Sequence, residues 1–352
     1  MAQKPTLRDI ANTLSLSTAA VSMILSGKRL ERFPQETIEA VHAEARKIGY
    51  VAKHADNGRD GLIIIVCPNV INPYYAALMQ GIEFTAEKNG YNTCTYNTYW
   101  DIEREKKVLA FAGNPIVRGM IFSMIPQQAD LVEQLSQRMP VITVGDKLSS
   151  LHLDTVEVDN YDAGYQIGKH LISLGHTHIC YVSTSFNKHH STRVLRYDGL
   201  CKSYKELCPQ GSVALLSNDI DPLYELSTVE MEHQVGMELA EKCIRTKKNI
   251  TAMVANNDMV AYGVIDEILR EGYRIPDDYS VCGFDNIYPS QFNGVSLTTI
   301  DQYINLRGQS AFSLLQAKLE RKESGAVTMT HLEFKARLIQ RLTTGLPRRT
   351  KL

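Results

Sequence analysis

The chain has 352 residues, 44% of them hydrophobic, and a formal net charge of −1. That length exceeds one small core and predicts two or three domains, and the near-neutral balance excludes a nucleic-acid-binding surface spread over the whole molecule. No window approaches the ~18 apolar residues of a membrane helix, the N-terminus lacks a secretory apolar stretch, and the seven Cys show no C-x-x-C spacing, which predicts a reduced cytoplasmic protein without disulfides, metal or cofactor.

The first segment reads as three short helices. Leu7, Ile10, Ala11 and Leu14 recur at helical spacing, with Thr6 as N-cap and Asp9 three residues on. Leu14-Ser15-Leu16-Ser17 breaks the pattern. Ser17 is a good cap for a second helix, Thr18–Leu25, whose inner face is Val21, Ile24 and Leu25. Ser26-Gly27 stops it, and a third helix begins near Pro34, with Ile38, Val41, Ala45 and Ile48 as its stripe. Three such helices make a minimal trihelical core, and the second is sized for a DNA major groove. A helical cap or a dimerisation bundle is the alternative. Residues 1–60 hold nine basic against seven acidic residues, a net +2, so the remainder carries −3. Lys28, Arg29 and Arg32 cluster just past the second helix, where cations suit phosphate contacts.

From Leu62 the texture changes. Leu62–Val66 is a continuous apolar run, as a strand buried on both faces requires. Similar runs follow at Gly119–Phe122, Val141–Val144, Ile179–Ser183, Val213–Leu216, Thr251–Ala255 and Val281–Phe284. Helical stretches alternate with them, as at Tyr74–Asn89, Tyr161–Leu174, Val229–Arg245 and Val260–Glu271. The alternation predicts parallel α/β sheets, with too many strands for one doubly wound domain. Two α/β subdomains side by side would bind a ligand in the cleft at the carboxyl ends of their strands.

An ordered set of motifs now carries a family resemblance. Thr6-Leu7-Arg8-Asp9-Ile10-Ala11 with Val21-Ser22-x-Ile24-Leu25-Ser26-Gly27, and then Ile48-Gly49-Tyr50, resemble the helix-turn-helix of the lactose-repressor/galactose-repressor (LacI/GalR) family. Asn72-Pro73-Tyr74-Tyr75, Val158-Asp159-Asn160, Leu174-Gly175-His176, Arg196-x-x-Gly199, Asn257-Asp258-x-x-Ala261-x-Gly263, Gly283-Phe284-Asp285 and Leu297-Thr298-Thr299-Ile300 resemble its regulatory domain. The resemblance spans residues 6–342. It implies an all-α helix-turn-helix domain (1–49), a linker (50–61), and a two-subdomain, type I periplasmic-binding-protein-like α/β core with parallel sheets (62–342). Crossovers near Asn160, Gln291 and Gly325 would divide that core into about 62–160 plus 292–324 and about 161–291 plus 325–342. Residues 343–352 would be a disordered basic tail without a leucine heptad run.

The same resemblance implies DNA contacts from Thr6, Ser17, Thr18, Ala19, Ser22, Met23 and Tyr50, beside Lys28, Arg29 and Arg32. It implies effector contacts from Asn72, Tyr74, Tyr75, Asp146, Arg196, Asn257 and Asp285. These side chains suit a carbohydrate: an aromatic face, amides and carboxylates for hydroxyls, and an Arg fork for paired oxygens. An Asp after a strand is also a common helix cap, the competing reading for Asp159 and Asp258.

Departures from the family matter too. Thr18, Ala19 and Met23 cannot make the bidentate guanine contact of an Arg. Ser15 replaces a turn glycine, and the linker Tyr50–Gly61 has no leucine to wedge into a minor groove. Ile220 falls near the place where relatives put a stacking aromatic, and Trp100 is the sole tryptophan. Lys188–Arg196 reads either as a solvated loop or as a subsite for an anionic group. The charged run Glu103–Lys107 reads as an exposed helix face, and His176, His178, His189 and His190 lack partners at metal-ligand spacing. No phosphate loop or nucleophile elbow occurs. The expected function is a dimeric, effector-gated transcription regulator, a repressor on a pseudo-palindromic operator. A solute receptor and a sugar- or nucleotide-converting enzyme are the competing readings.

Overall fold

The computed structural model describes residues 5–25, 29–48, 50, 61–146, 152–186, 191–218, 228, 230–247, 249–320 and 328–348. The chain divides into two compact units, Met1–Asp60 and Gly61–Leu352.

The first unit contains α1 (Leu7–Thr13), α2 (Thr18–Leu25), a 3₁₀ turn (Leu30–Arg32) and α3 (Gln35–Lys47). Ile10, Ala11, Val21, Ile24, Val41 and Ala45 form its buried core, the residues of the three predicted stripes. The Asp9 carboxylate accepts from the Thr6 backbone N–H at 2.7 Å and from the Thr6 hydroxyl at 2.8 Å. Ser17 Oγ accepts from the Ala20 N–H at 3.1 Å and caps α2. Between the helices Ser15 takes φ 52°, the left-handed region.

The second unit runs β1 (Leu62–Cys67), α4 (Pro73–Lys88), β2 (Asn92–Asn97), α5 (Ile102–Phe111), β3 (Val117–Phe122), α6 (Ala129–Ser136), β4 (Val141–Gly145) and β5 (Asp154–Val158). It continues with α7 (Asn160–Ser173), β6 (His178–Ser183), α8 (Ser191–Leu207), β7 (Ser212–Ser217), α9 (Glu230–Thr246), β8 (Ala252–Ala255), α10 (Asp258–Arg270), β9 (Ser280–Asp285) and β10 (Thr298–Asp301). It closes with α11 (Ile304–Leu319), β11 (His331–Phe334) and β12 (Arg337–Ile339). Two six-stranded sheets result, in the orders β11-β5-β4-β3-β1-β2 and β12-β10-β9-β8-β6-β7. All described pairings are parallel except β10 with β12. The central strands are apolar on both faces because helices cover both sides.

Two of the three expected crossovers move. The first lies at Asp159, between β5 and α7, near Asn160 as expected. The second lies after Asp301, beyond Gln291, because β10 pairs with β9 through Thr298↔Cys282 to Asp301↔Asp285 and so stays in the second sheet. The third lies between Phe334 and Arg337, because His331–Phe334 still pairs with β5; Gly325 is outside the described residues. Residues 292–301 therefore belong to the second subdomain, and 331–334 to the first.

Other expectations change as well. Residues 343–348 are packed, not disordered. Thr343 Oγ1 donates to the Val281 carbonyl at 2.8 Å, and Arg348 lies 4.3 Å over the Tyr279 ring while donating to its hydroxyl at 3.0 Å. In the run Glu103–Lys107, Glu105 is buried and accepts the Gln127 and Gln128 N–H groups at 3.2 and 2.7 Å, so this face is not wholly solvated. Residues 191–196 open α8 and are not loop, whereas Lys188–His190, Ile220 and the linker 51–60 lie outside the described residues.

Helices meet unusually closely. A Cβ on Gly164 of α7 would lie 2.0 Å from the Arg196 carbonyl oxygen, and one on Gly199 of α8 would lie 1.9 Å from that of Tyr161. Gly236 of α9 and Gly263 of α10 form the same reciprocal arrangement, at 2.3 Å from Val260 O and 1.9 Å from His233 O. These contacts fix the helices that carry the cleft residues.

Candidate functional site

A cavity lies between the two subdomains, at the carboxyl ends of β1, β3, β4, β5, β8, β9 and β10, where open parallel sheets receive ligands. Asn72 and Asn257 face each other across it. The Asn72 side chain accepts from the Tyr74 N–H at 2.9 Å and so caps α4. Asn257 accepts from the Val260 N–H at 2.9 Å and caps α10. Each amide then points its Nδ2 at one carboxylate. Asn72 donates to Glu232 Oε2 at 2.9 Å, and Asn257 donates to Glu232 Oε1 at 2.7 Å. Glu232, on α9 of the second subdomain, therefore ties an N-cap of the first subdomain to one of its own.

Arg196 is buried on α8. Its Nε donates to Asn160 Oδ1 at 2.8 Å, its Nη1 to the Asn256 carbonyl at 2.5 Å, and its Nη2 stands 3.8 Å from Asp285 Oδ1. The guanidinium also lies 4.6 Å from the centre of the Phe284 ring. Asp285 accepts from Gln302 Nε2 at 2.6 Å, and burial pushes its carboxyl well above the usual range despite Arg196. Its φ of 127° is uncommon for a residue with a side chain, a strain of the kind concentrated at functional sites.

Of the predicted effector residues, Asn72, Tyr74, Tyr75, Arg196, Asn257 and Asp285 line this cavity. Asp146 does not. It is buried behind the lining, where it accepts from Asn160 Nδ2 and, at 3.2 Å, from Ser191 Oγ, and burial raises its pKa. The hydroxyl and amide that a ligand would have supplied come from the protein itself. Asp159 is the N-cap of α7, accepting from the Asp162 N–H at 2.8 Å. Asp258 is buried under the hydroxyls of Ser290 and Thr299 at 2.5 and 2.6 Å, and burial carries its pKa up to about 6.

Sequence reasoning missed Trp100, Glu232, Gln302 and Arg307, all of which line the cavity. A lone Trp in a short Tyr-Trp-Asp turn was the only visible signal among them. His176 holds its neutral form: burial lowers its pKa to about 4. Its Nε2 faces the Gly345 carbonyl and Ser280 Oγ at 3.0 Å, and its Nδ1 faces Thr251 Oγ1 at 2.8 Å, so both ring nitrogens are engaged within the fold.

In the trihelical unit Ser17, Thr18, Ala19 and Ser22 are exposed along one side of α2, and Met23 is half-buried. Arg29 and Arg32 flank the 3₁₀ turn, exposed, while Lys28 lies outside the described residues. Thr6 is exposed with its hydroxyl given to Asp9, and Tyr50 packs against the trihelical core.

Residues 60–338 match the family model described as periplasmic binding proteins and sugar binding domain of LacI family. The chain is 27% identical over 341 residues to the HTH-type transcriptional repressor PurR of Haemophilus influenzae, covering 96% of this chain and 97% of that protein. It is 26% identical over 330 residues to the HTH-type transcriptional repressor CytR of Escherichia coli, covering 91% and 92%. A LacI family regulator from Enterococcus faecium, solved with bound ribose, superposes with TM-score 0.67 at 25% identity over 81% of this chain and 98% of that one. A LacI family regulator from Silicibacter pomeroyi superposes with TM-score 0.74 at 20% identity, over 96% and 99%. No described helix is long and apolar enough to cross a membrane.

Proposed function

This chain belongs to the LacI family, and from that premise we propose that it is an operator-binding repressor controlled by a sugar or sugar derivative held in the cleft. The observation that carries the reading is Glu232, joined to Asn72 of one subdomain and Asn257 of the other. A ligand hydroxyl that takes the place of the Asn72 amide exchanges the bond between subdomains for a protein–ligand bond, and the cleft equilibrium follows. The ribose in the Enterococcus faecium relative supports a sugar, and the repressor relatives support the sign of control.

The exposed side of α2 supports major-groove contact through Thr18, Ala19 and Ser22, with Arg29 and Arg32 on phosphates. A homodimer would present two such helices to a two-fold operator. Tyr288, 72% exposed, and Leu306, 48% exposed, line a second concavity, and Phe292 packs edge-on to Tyr288. Apolar groups so placed support self-association there.

The test uses the full chain and a labelled duplex selected by it from random sequence. Binding should weaken steeply with salt, and a sugar that alters Trp100 fluorescence should shift duplex affinity over the same concentrations. A Trp100 response with unchanged duplex affinity overturns the reading. Sedimentation should show a dimer that Tyr288→Asp dissociates; an unchanged sedimentation coefficient would place the dimer contact elsewhere.

A further inference from the structure

Arg307 is buried to 1% exposure and lines the cleft from α11, in the first subdomain. A guanidinium keeps its charge when buried, and desolvating it is costly unless an anion or a full set of acceptors compensates. Arg307 has neither. Its Nη1 donates to Tyr74 Oη at 3.1 Å and to Gln302 Oε1 at 3.4 Å, and its Nη2 donates to the Gly145 carbonyl at 3.3 Å. All three partners are neutral. Its Nε is buried without a hydrogen-bond partner.

The carboxylates around it are committed elsewhere. Glu232 takes both asparagine amides. Asp285 faces Arg196 and Gln302. Asp146 takes Asn160 and Ser191. Among the described residues no carboxylate forms an ion pair with Arg307. Opposite it, α8 contributes Arg193 and Arg196 to the same cavity. The cleft therefore holds guanidinium groups on both walls, and among the described residues the one on the first subdomain has no carboxylate in contact.

We propose that the ligand of this cleft is a sugar derivative carrying a carboxylate or a phosphate, and that Arg307 receives that anionic group. The inference rests on the cleft being the effector site, and it adds the charge class and a specificity-determining residue. An anionic oxygen placed between Arg307 and α8 gives the buried cation a counter-charge in direct contact and touches both subdomains at once. A neutral sugar would leave Arg307 as it stands.

Trp100, the sole tryptophan, lines the cavity and reports on it directly. The full chain is titrated with two matched pairs, D-ribose against D-ribose 5-phosphate and D-glucose against D-gluconate. In at least one pair the anionic member should bind at least about tenfold more tightly, as a charge-assisted fork contact allows. Arg307→Met should erase that advantage, and Arg307→Lys should keep part of it. Thermal unfolding without ligand guards against a folding artefact: Arg307→Met and Arg307→Lys must each keep a cooperative transition well above the titration temperature.

Equal affinities within both pairs, or no response to any member, overturn the proposal. A neutral sugar that binds tightly, responds to Asn257→Ala and ignores Arg307→Met overturns the anionic class while leaving the cleft as effector site. Anionic members that respond equally in the parent, Arg307→Met and Asn257→Ala overturn both readings.

Discussion

Ser15 shows how one side chain shapes a recognition unit. It holds φ 52° in the turn between α1 and α2, where a side chain costs about 1 kcal/mol that glycine avoids. Ser15→Gly should stabilise the turn by about 0.5–1 kcal/mol. Amide exchange in α1 and α2 of the full chain should slow accordingly; unchanged or faster exchange would mean the serine is not strained. His176 gives a second prediction. It titrates near 4 when folded, against 6.5 for the free side chain. Between those values the unfolded chain takes up the extra proton, so stability present above pH 6.5 is lost as the solution is acidified towards pH 4. Asp258, raised from 3.8 to about 6, works in the opposite direction over much of the same window. The comparison must therefore be with His176→Asn, whose melting temperature should fall less than the parent's between pH 6.5 and 4.5. Parallel curves would show that His176 does not titrate there.

Among the elements, the reciprocal glycines are the most sensitive positions. Gly263→Ala would place a methyl group 1.9 Å from the His233 carbonyl oxygen, and the facing Gly236 leaves no other slack. α9 and α10 must then separate, at a cost of about 1–3 kcal/mol or more. Because α9 carries Glu232 and α10 is capped by Asn257, the variant should also weaken sugar binding. A variant with parental melting temperature would contradict this packing. These elements also mark what a sequence can convey. Leu62–Val66 and Val281–Phe284 declared themselves because strands buried on both faces need unbroken apolar runs. β2, with Asn92, Thr93 and Thr95, and β11, with exposed His331 and Glu333, did not, since their faces are partly wet. The crossing after Asp301 was illegible because a strand's choice of sheet is a matter of partner, and nothing in Thr298–Asp301 itself names β9 as that partner. Glu232 reads as one more polar residue of an amphipathic helix, and Arg307 as a surface cation, until tertiary packing buries them. Asn72, Arg196, Asn257 and Asp285 were reachable through the motifs that carry the family resemblance.

At the scale of the whole regulatory unit, Glu232 joins the two walls of the cleft, so its closure should respond to single substitutions there. Removing the carboxylate with Glu232→Ala frees both amides and should favour an open cleft. Small-angle scattering of the full chain should show a larger radius of gyration, which added sugar reverses only in part; an unchanged radius would show that other contacts hold the subdomains together. The two asparagines make a finer instrument. Each uses its oxygen to hold a helix and its nitrogen to hold Glu232, which for Asn72 is the opposite wall. Aspartate is as good a helix cap as asparagine, but it offers Glu232 a second negative charge in place of a donor. Asn72→Asp thus keeps the architecture and repels the latch. Folding and gating, which share these two side chains, are written on opposite ends of the same amide and can be inherited separately.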